Sequence, residues 1–236
     1  MKRPFLPATL FLLLAIGPMY LMHRTMAGAD FPLSGFGSAV LQAEFHLNDN
    51  DVYDLYGAKA TPARALLTQK MREAHVYDNL FLLCYGLFLI IFAFQGFRLT
   101  HWWRFLVLMF LAVAAVLADL IENGAIVDIT LALDAGESDF SFLLRRLAFF
   151  TWMKWLSLAL YFGFMIRFFG KAAQWGNLKN WHGNLLAWVC AAAVLVSFAA
   201  FGTRSAAWEN RMSQAVTLLF AVLFVFSLFY RKKNDA

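Results

Sequence analysis

Six apolar blocks dominate this chain: Phe5 to Met22, Leu80 to Phe97, Phe105 to Ile121, Leu147 to Ile166, Leu185 to Phe201 and Val216 to Tyr230. Each approaches the length of about 20 residues that a helix needs to cross roughly 30 Å of hydrocarbon. Of the 236 residues, 61% are hydrophobic and 15% charged. The apolar residues fall in blocks, not in the scattered stripe of a soluble core, and that is membrane composition. The expected fold is all-α: one polytopic transmembrane domain over 1–236, with six spans and a soluble outer segment over 23–79.

Charge sets the orientation. Lys2 and Arg3, then Arg98 and Arg104, then Arg167, Lys171 and Lys179, and finally Arg231, Lys232 and Lys233 flank the blocks on one side. By the positive-inside rule that side, with both termini, is cytoplasmic. Arg64, Lys70, Arg72, Arg145, Arg146, Arg204 and Arg211 fall on the other side, so the asymmetry rests on density near the short loops. Of the 15 acidic residues, all but Asp235 fall on the outer side or in an outer half-span. Trp102, Trp103, Trp175, Trp181 and Trp208 suit interfacial belts. The first block, with Ala27-Gly28-Ala29 after it, resembles a signal peptide, but the run exceeds a typical apolar core of about 7–15 residues and His23-Arg24 interrupts it. It is read as a span.

The net charge of +5 is explained by these loops. No basic stripe interleaved with exposed aromatics points to nucleic acid. Cys84 and Cys190 lie inside apolar blocks with no paired-cysteine motif, so neither a disulfide scaffold nor a thiol redox centre is expected.

The outer segment opens on Gly28, Pro32, Gly35 and Gly37, which mark irregular chain. Leu41, Ala43, Phe45 and Leu47 alternate with Gln42, Glu44 and His46, the period of a short strand, but no second alternating run offers a partner. Asn48 or Asp49 caps a short helix ending at Gly57. A calcium loop counted from Asp49 fails, with Asp54 where Gly is needed and Ala60 where Glu is needed. Thr61-Pro62 starts a helix that nothing breaks before Phe97. Its outward projection sets Ala65, Leu66, Met71 and Val76 among Arg64, Lys70, Arg72 and Glu73, an amphipathic collar for the membrane surface or a protein partner.

The residues that a bilayer should exclude are the informative ones, because an ionisable group at mid-membrane costs a few kcal/mol or more and faces a partner in the bundle. Ala112, Ala115, Asp119 and Glu122 share a helical face, with Asn123 beside them. Lys154, with Thr151, Ser157 and Tyr161 on its face, lies roughly 12 Å below the outer start of its span. Asp119 lies roughly 22 Å up from the inner side, a compatible depth. Asp78 and Tyr85 follow one face of the second span. The expected polar cluster is Asp78, Tyr85, Asp119, Glu122, Asn123, Lys154 and Tyr161. Two carboxylates against one ammonium leave an excess of negative charge, so one of them is expected to carry a proton.

The combination of Asp78 with Tyr85, the Asp119–Glu122–Asn123 run and Lys154-Trp155 resembles a group of uncharacterised bacterial polytopic inner-membrane proteins, over roughly residues 40 to 165. The resemblance implies a shared helix core and brings no activity, substrate or cofactor with it.

The cluster fits several roles. As a packing device it fixes the register of spans two, three and four. As a site in a binding or accessory protein it receives a small polar ligand or lipid headgroup. A proton- or cation-coupled transporter uses the excess carboxylate for the coupling ion but needs access from both sides, and the inner half-spans are almost wholly apolar. A membrane-embedded lipid-modifying enzyme uses Glu122 or Asp119 as general base and Lys154 to stabilise developing negative charge. Ser157 and Cys84 lack an in-span histidine as base. The best metal set, His75, Asp78, Asp119 and Glu122, has no diagnostic spacing, and no two in-span histidines share a depth for haem; no cofactor is expected. His23, His46, His101 and His182 are isolated or lie in loops. The expected location is the inner (plasma) membrane, with the bilayer as main partner.

Overall fold

A computed structural model describes residues 3–45 and 47–232. Met1, Lys2, His46, Lys233 and Asp235, which enter the readings above, lie outside the described residues. Among the described residues there are eight α-helices and no strand. They are α1 (Leu6–Met26), α2 (Ala39–Glu44), α3 (Asp49–Tyr56), α4 (Pro62–Thr100), α5 (Arg104–Asp134), α6 (Ser141–Lys171), α7 (Asn180–Thr203) and α8 (Ala206–Phe229). Six of these, all but α2 and α3, are long and apolar enough to cross a membrane, the architecture of a multi-pass membrane protein.

The long helices outrun the apolar blocks that announce them, because backbone hydrogen bonding continues wherever no residue breaks it. The clearest case is α5. Its block ends at Ile121, but the helix runs on through Glu122, Asn123, Asp128 and Thr130 to Asp134. It stops at Gly136, whose φ of 83° lies in the left-handed region that glycine enters without steric cost. There the Glu137 N–H donates to the Ala132 carbonyl (3.0 Å) and the Gly136 N–H to Leu133 (3.1 Å), the paired bonds of a Schellman end. The start of α4 is as the sequence predicts: the Thr61 Oγ1 accepts from the Arg64 N–H at 3.2 Å, with Pro62 as first helical residue.

The chain divides into two compact units. One comprises 1–14, 84–115 and 155–236. Its core is aromatic: Phe5, Phe92, Phe168 and Phe226 are buried, Phe5 stacks on Phe92 at 4.5 Å, and Phe226 stacks on Tyr230 at 4.7 Å. The Tyr230 hydroxyl donates to the Ala172 carbonyl (3.1 Å). Trp102 meets Trp175 edge-on at 5.0 Å, and Arg167 and Lys171 lie over Trp102 at 5.6 and 5.7 Å. Basic and aromatic residues expected together at one interface are therefore neighbours.

The other unit comprises 15–83 and 116–154. Its core joins Val52, Leu55 and Tyr56 of α3, Ala39 and Ala43 of α2, Met71 of α4, Ile126, Ile129 and Leu133 of α5, and Leu144 and Leu147 of α6. Of the segment with strand-like alternation, Leu41 to Glu44 lie in the helix α2. Ser38 caps α2, its Oγ accepting from the Leu41 N–H at 3.2 Å, and a single stretch without a ladder partner gains more from its own backbone bonds. Asn48 caps α3 through a reciprocal box with Asp51, and Gly57 ends it. Of the apolar residues in the outward projection of α4, Leu66 and Val76 are exposed and Met71 is buried, on a face that also carries Arg64, Thr68, Ala74 and His75. The buried stripe follows the three-and-four spacing of a helix and takes polar residues wherever that spacing falls.

Candidate functional site: a buried carboxylate–lysine cluster

α5 and α6 supply the charges. Asp119 and Glu122 stand three residues apart on α5, and Lys154 projects from α6. The Lys154 Nζ lies 3.3 Å from Asp119 Oδ1, 3.0 Å from Glu122 Oε1 and 2.8 Å from Glu122 Oε2. A third carboxylate completes the set: Glu44 Oε2 lies 3.0 Å from the same ammonium. Glu122 is fully buried, and Asp119 and Lys154 are 6% and 5% exposed. Glu44 lies outside the six long helices, and its burial pushes its carboxyl above the ordinary glutamate range, the Lys154 ammonium opposing that rise.

Glu44 is the member that sequence reasoning missed. The alternating reading assigned it to a polar face, while the helix α2 turns it toward Lys154. The signal was available: Glu44 is the single carboxylate in the run from Ala39 to Phe45, and Ser38 is a helix-start residue. The end of α2 is held by the Thr151 Oγ1, which donates to the Glu44 carbonyl at 3.0 Å, and by Phe45, whose ring packs between Phe36 and Trp152 at 6.2 and 5.3 Å. The Gln42 Oε1 accepts from the Ser34 N–H at 3.0 Å.

Asp78 and Asn123, both in the expected polar cluster, meet each other. The Asn123 Nδ2 donates to Asp78 Oδ2 (2.6 Å) and to Asn79 Oδ1 (3.0 Å). His75, one turn before Asp78 on α4, is buried, and its Nδ1 lies 2.8 Å from the Met71 carbonyl. A carbonyl only accepts, so Nδ1 carries the hydrogen. Nε2 has no hydrogen-bond partner among the described residues, and the ring is within electrostatic reach of Glu44, Asp119 and Lys154. No group of three or more His, Cys, Asp or Glu among the described residues is arranged to hold a metal ion.

Tyr85 and Tyr161 belong to the first unit. The Tyr161 hydroxyl donates to the Leu89 carbonyl at 2.9 Å, and Tyr85 packs edge-on against Phe220 at 5.7 Å. Two further pairs brace the second unit: Arg72 with Asp134 (2.7 Å), which also accepts from the Thr68 hydroxyl, and Arg146 with Asp128 (2.9 Å).

Chemically, the arrangement is one ammonium with its three donors spent on three carboxylates. The surplus of acid over base equips it to take up protons or a second cationic group. Comparison with known proteins finds no matching family model, no matching curated protein and no matching solved structure.

Proposed function

We propose that the chain is a binding or accessory protein of the inner (plasma) membrane, with cytoplasmic termini, whose Glu44–Asp119–Glu122–Lys154 cluster receives the ammonium group of a small polar ligand or lipid headgroup from the outer side. The observation that carries this reading is the ratio of three carboxylates to one ammonium. A buried site with that ratio is electrostatically short of a cation. α2 lies outside the six long helices and brings Glu44 to the site from the outer segment, so the third carboxylate is supplied without a span. Lys154 keeps Asp119 and Glu122 oriented while the ligand's ammonium pairs with the carboxylate charge in excess of it.

The test uses phosphatidylethanolamine as probe, added to detergent-purified protein and followed by native mass spectrometry. Wild type is expected to retain the lipid, and Glu122→Gln and Glu44→Gln to lose it. Equal retention by all three proteins would rule the reading out.

A second reading, proton-coupled transport, is favoured by His75. Its unpartnered Nε2 beside surplus carboxylates is suited to accept and pass a proton. Uptake in proteoliposomes driven by a pH gradient, and lost in His75→Phe, would support it; the continuity of α4, α5 and α6 counts against it.

A further inference from the structure

The first unit contains a cavity of about 390 Å³ that the carboxylate cluster does not touch, lined by Arg3, Arg98, Lys232, Gln95, Pro7 and Leu99 among others. Among the described residues that line it there is no carboxylate. Arg3 and Arg98 bring two guanidiniums to one concavity, where they repel each other, and an anion held between them removes that repulsion.

Three parts of the chain form the walls. Arg98 lies in the last turn of α4, its guanidinium 5.9 Å from the Phe94 ring. The segment bearing Lys232 pairs antiparallel with Gly176, where the Asn177 N–H donates to the Arg231 carbonyl at 3.0 Å and the Arg231 N–H to Asn177 Oδ1 at 2.8 Å. Arg3 stands two residues before Phe5, which is buried in the aromatic core just ahead of α1. A helix N-terminus adds partial positive charge of its own.

We infer that this cavity binds a phosphate group, and that the phosphate belongs to an anionic glycerophospholipid. Guanidinium forks and an amide suit phosphate oxygens, which accept several hydrogen bonds at once. The cavity lies where the apolar runs of α1, α4 and α8 end, the level at which headgroups sit. Its remaining wall, Pro7 and Leu99, is apolar and matches the glycerol and upper acyl region. Basic pockets between membrane helices bind anionic headgroups on these terms.

Phosphatidylglycerol, phosphatidylcholine and inorganic phosphate, each titrated into detergent-purified full-length protein, test this by thermal shift and native mass spectrometry. Phosphatidylglycerol is expected to stabilise and remain bound, more strongly at low salt, and phosphatidylcholine and millimolar phosphate to do neither. Arg98→Gln and Arg3→Gln should each weaken phosphatidylglycerol binding about fivefold. Arg98→Lys should weaken it less. Arg104→Gln, which removes the same charge outside the cavity, should leave it unchanged. Equal binding of phosphatidylglycerol and phosphatidylcholine, or equal losses in Arg98→Gln and Arg104→Gln, would overturn the site. A shift by inorganic phosphate as large as that by phosphatidylglycerol would overturn the lipid assignment.

Discussion

Replacing Lys154 by Met removes the one cation that Glu44, Asp119 and Glu122 share, at contacts of 3.0, 3.3 and 2.8 Å. The methionine fills nearly the same volume, so packing changes little and the loss is electrostatic. Removing one partner of a buried ion pair costs about 3–5 kcal/mol, because the group left behind keeps its desolvation penalty. Here three carboxylates are left behind, and the upper half of that range applies. For a chain of this size, such a loss lowers the melting temperature on the order of 10 °C. The assay is thermal unfolding of the detergent-purified protein near neutral pH, followed by tryptophan fluorescence and by circular dichroism. Lys154→Met/Glu122→Gln is the informative companion. It discharges one of the stranded acids and should recover part of the loss, by a coupling of about 0.5–3 kcal/mol. If Lys154→Met melts with wild type, the ammonium does not hold the cluster together and the ion-pair argument fails.

Two other outcomes follow from the geometry. Because burial raises the Glu44 carboxyl above its ordinary 4.5, the folded state holds that proton more firmly than the unfolded state. Its contribution is present at low pH and is withdrawn as the pH rises from 4.5 through the folded value, so Glu44→Gln should flatten the fall in stability over that window in a pH series of melting curves. Gly183 lies so close to the Phe169 carbonyl that a Cβ would collide with backbone; Gly183→Ala should destabilise by about 1–3 kcal/mol, measured as a lower melting temperature, whereas Gly170→Ala, in open space, should not.

The six long helices were legible because each carries an apolar block of span length. Asp119, Glu122 and Lys154 were legible for a related reason: a charge within such a block demands a partner, and helical spacing with depth matched them. Asp78 and Asn123 were named for the same cluster, but their mutual hydrogen bond was not read from the sequence. Glu44 was not, because its partner lies far away in sequence and a six-residue segment alternating apolar and polar residues satisfies the strand and helix patterns alike. Tyr85 and Tyr161 carried hydroxyls in apolar blocks, which marks them as needing an acceptor. It does not say which one, and Tyr161 uses a backbone carbonyl of α4.

The shared ammonium also orders the making of the protein. Synthesis delivers Glu44 first, then Asp119 and Glu122, and Lys154 last, so α5 reaches the membrane with acids whose counter-ion does not yet exist. A carboxylate within a lone span costs up to about 2.5–3.5 kcal/mol on insertion scales, the full amount at mid-membrane. That favours α5 waiting at the translocation machinery until α6 emerges, so that the two helices leave for the lipid as a neutralising hairpin, with Glu44 folding down onto it afterwards.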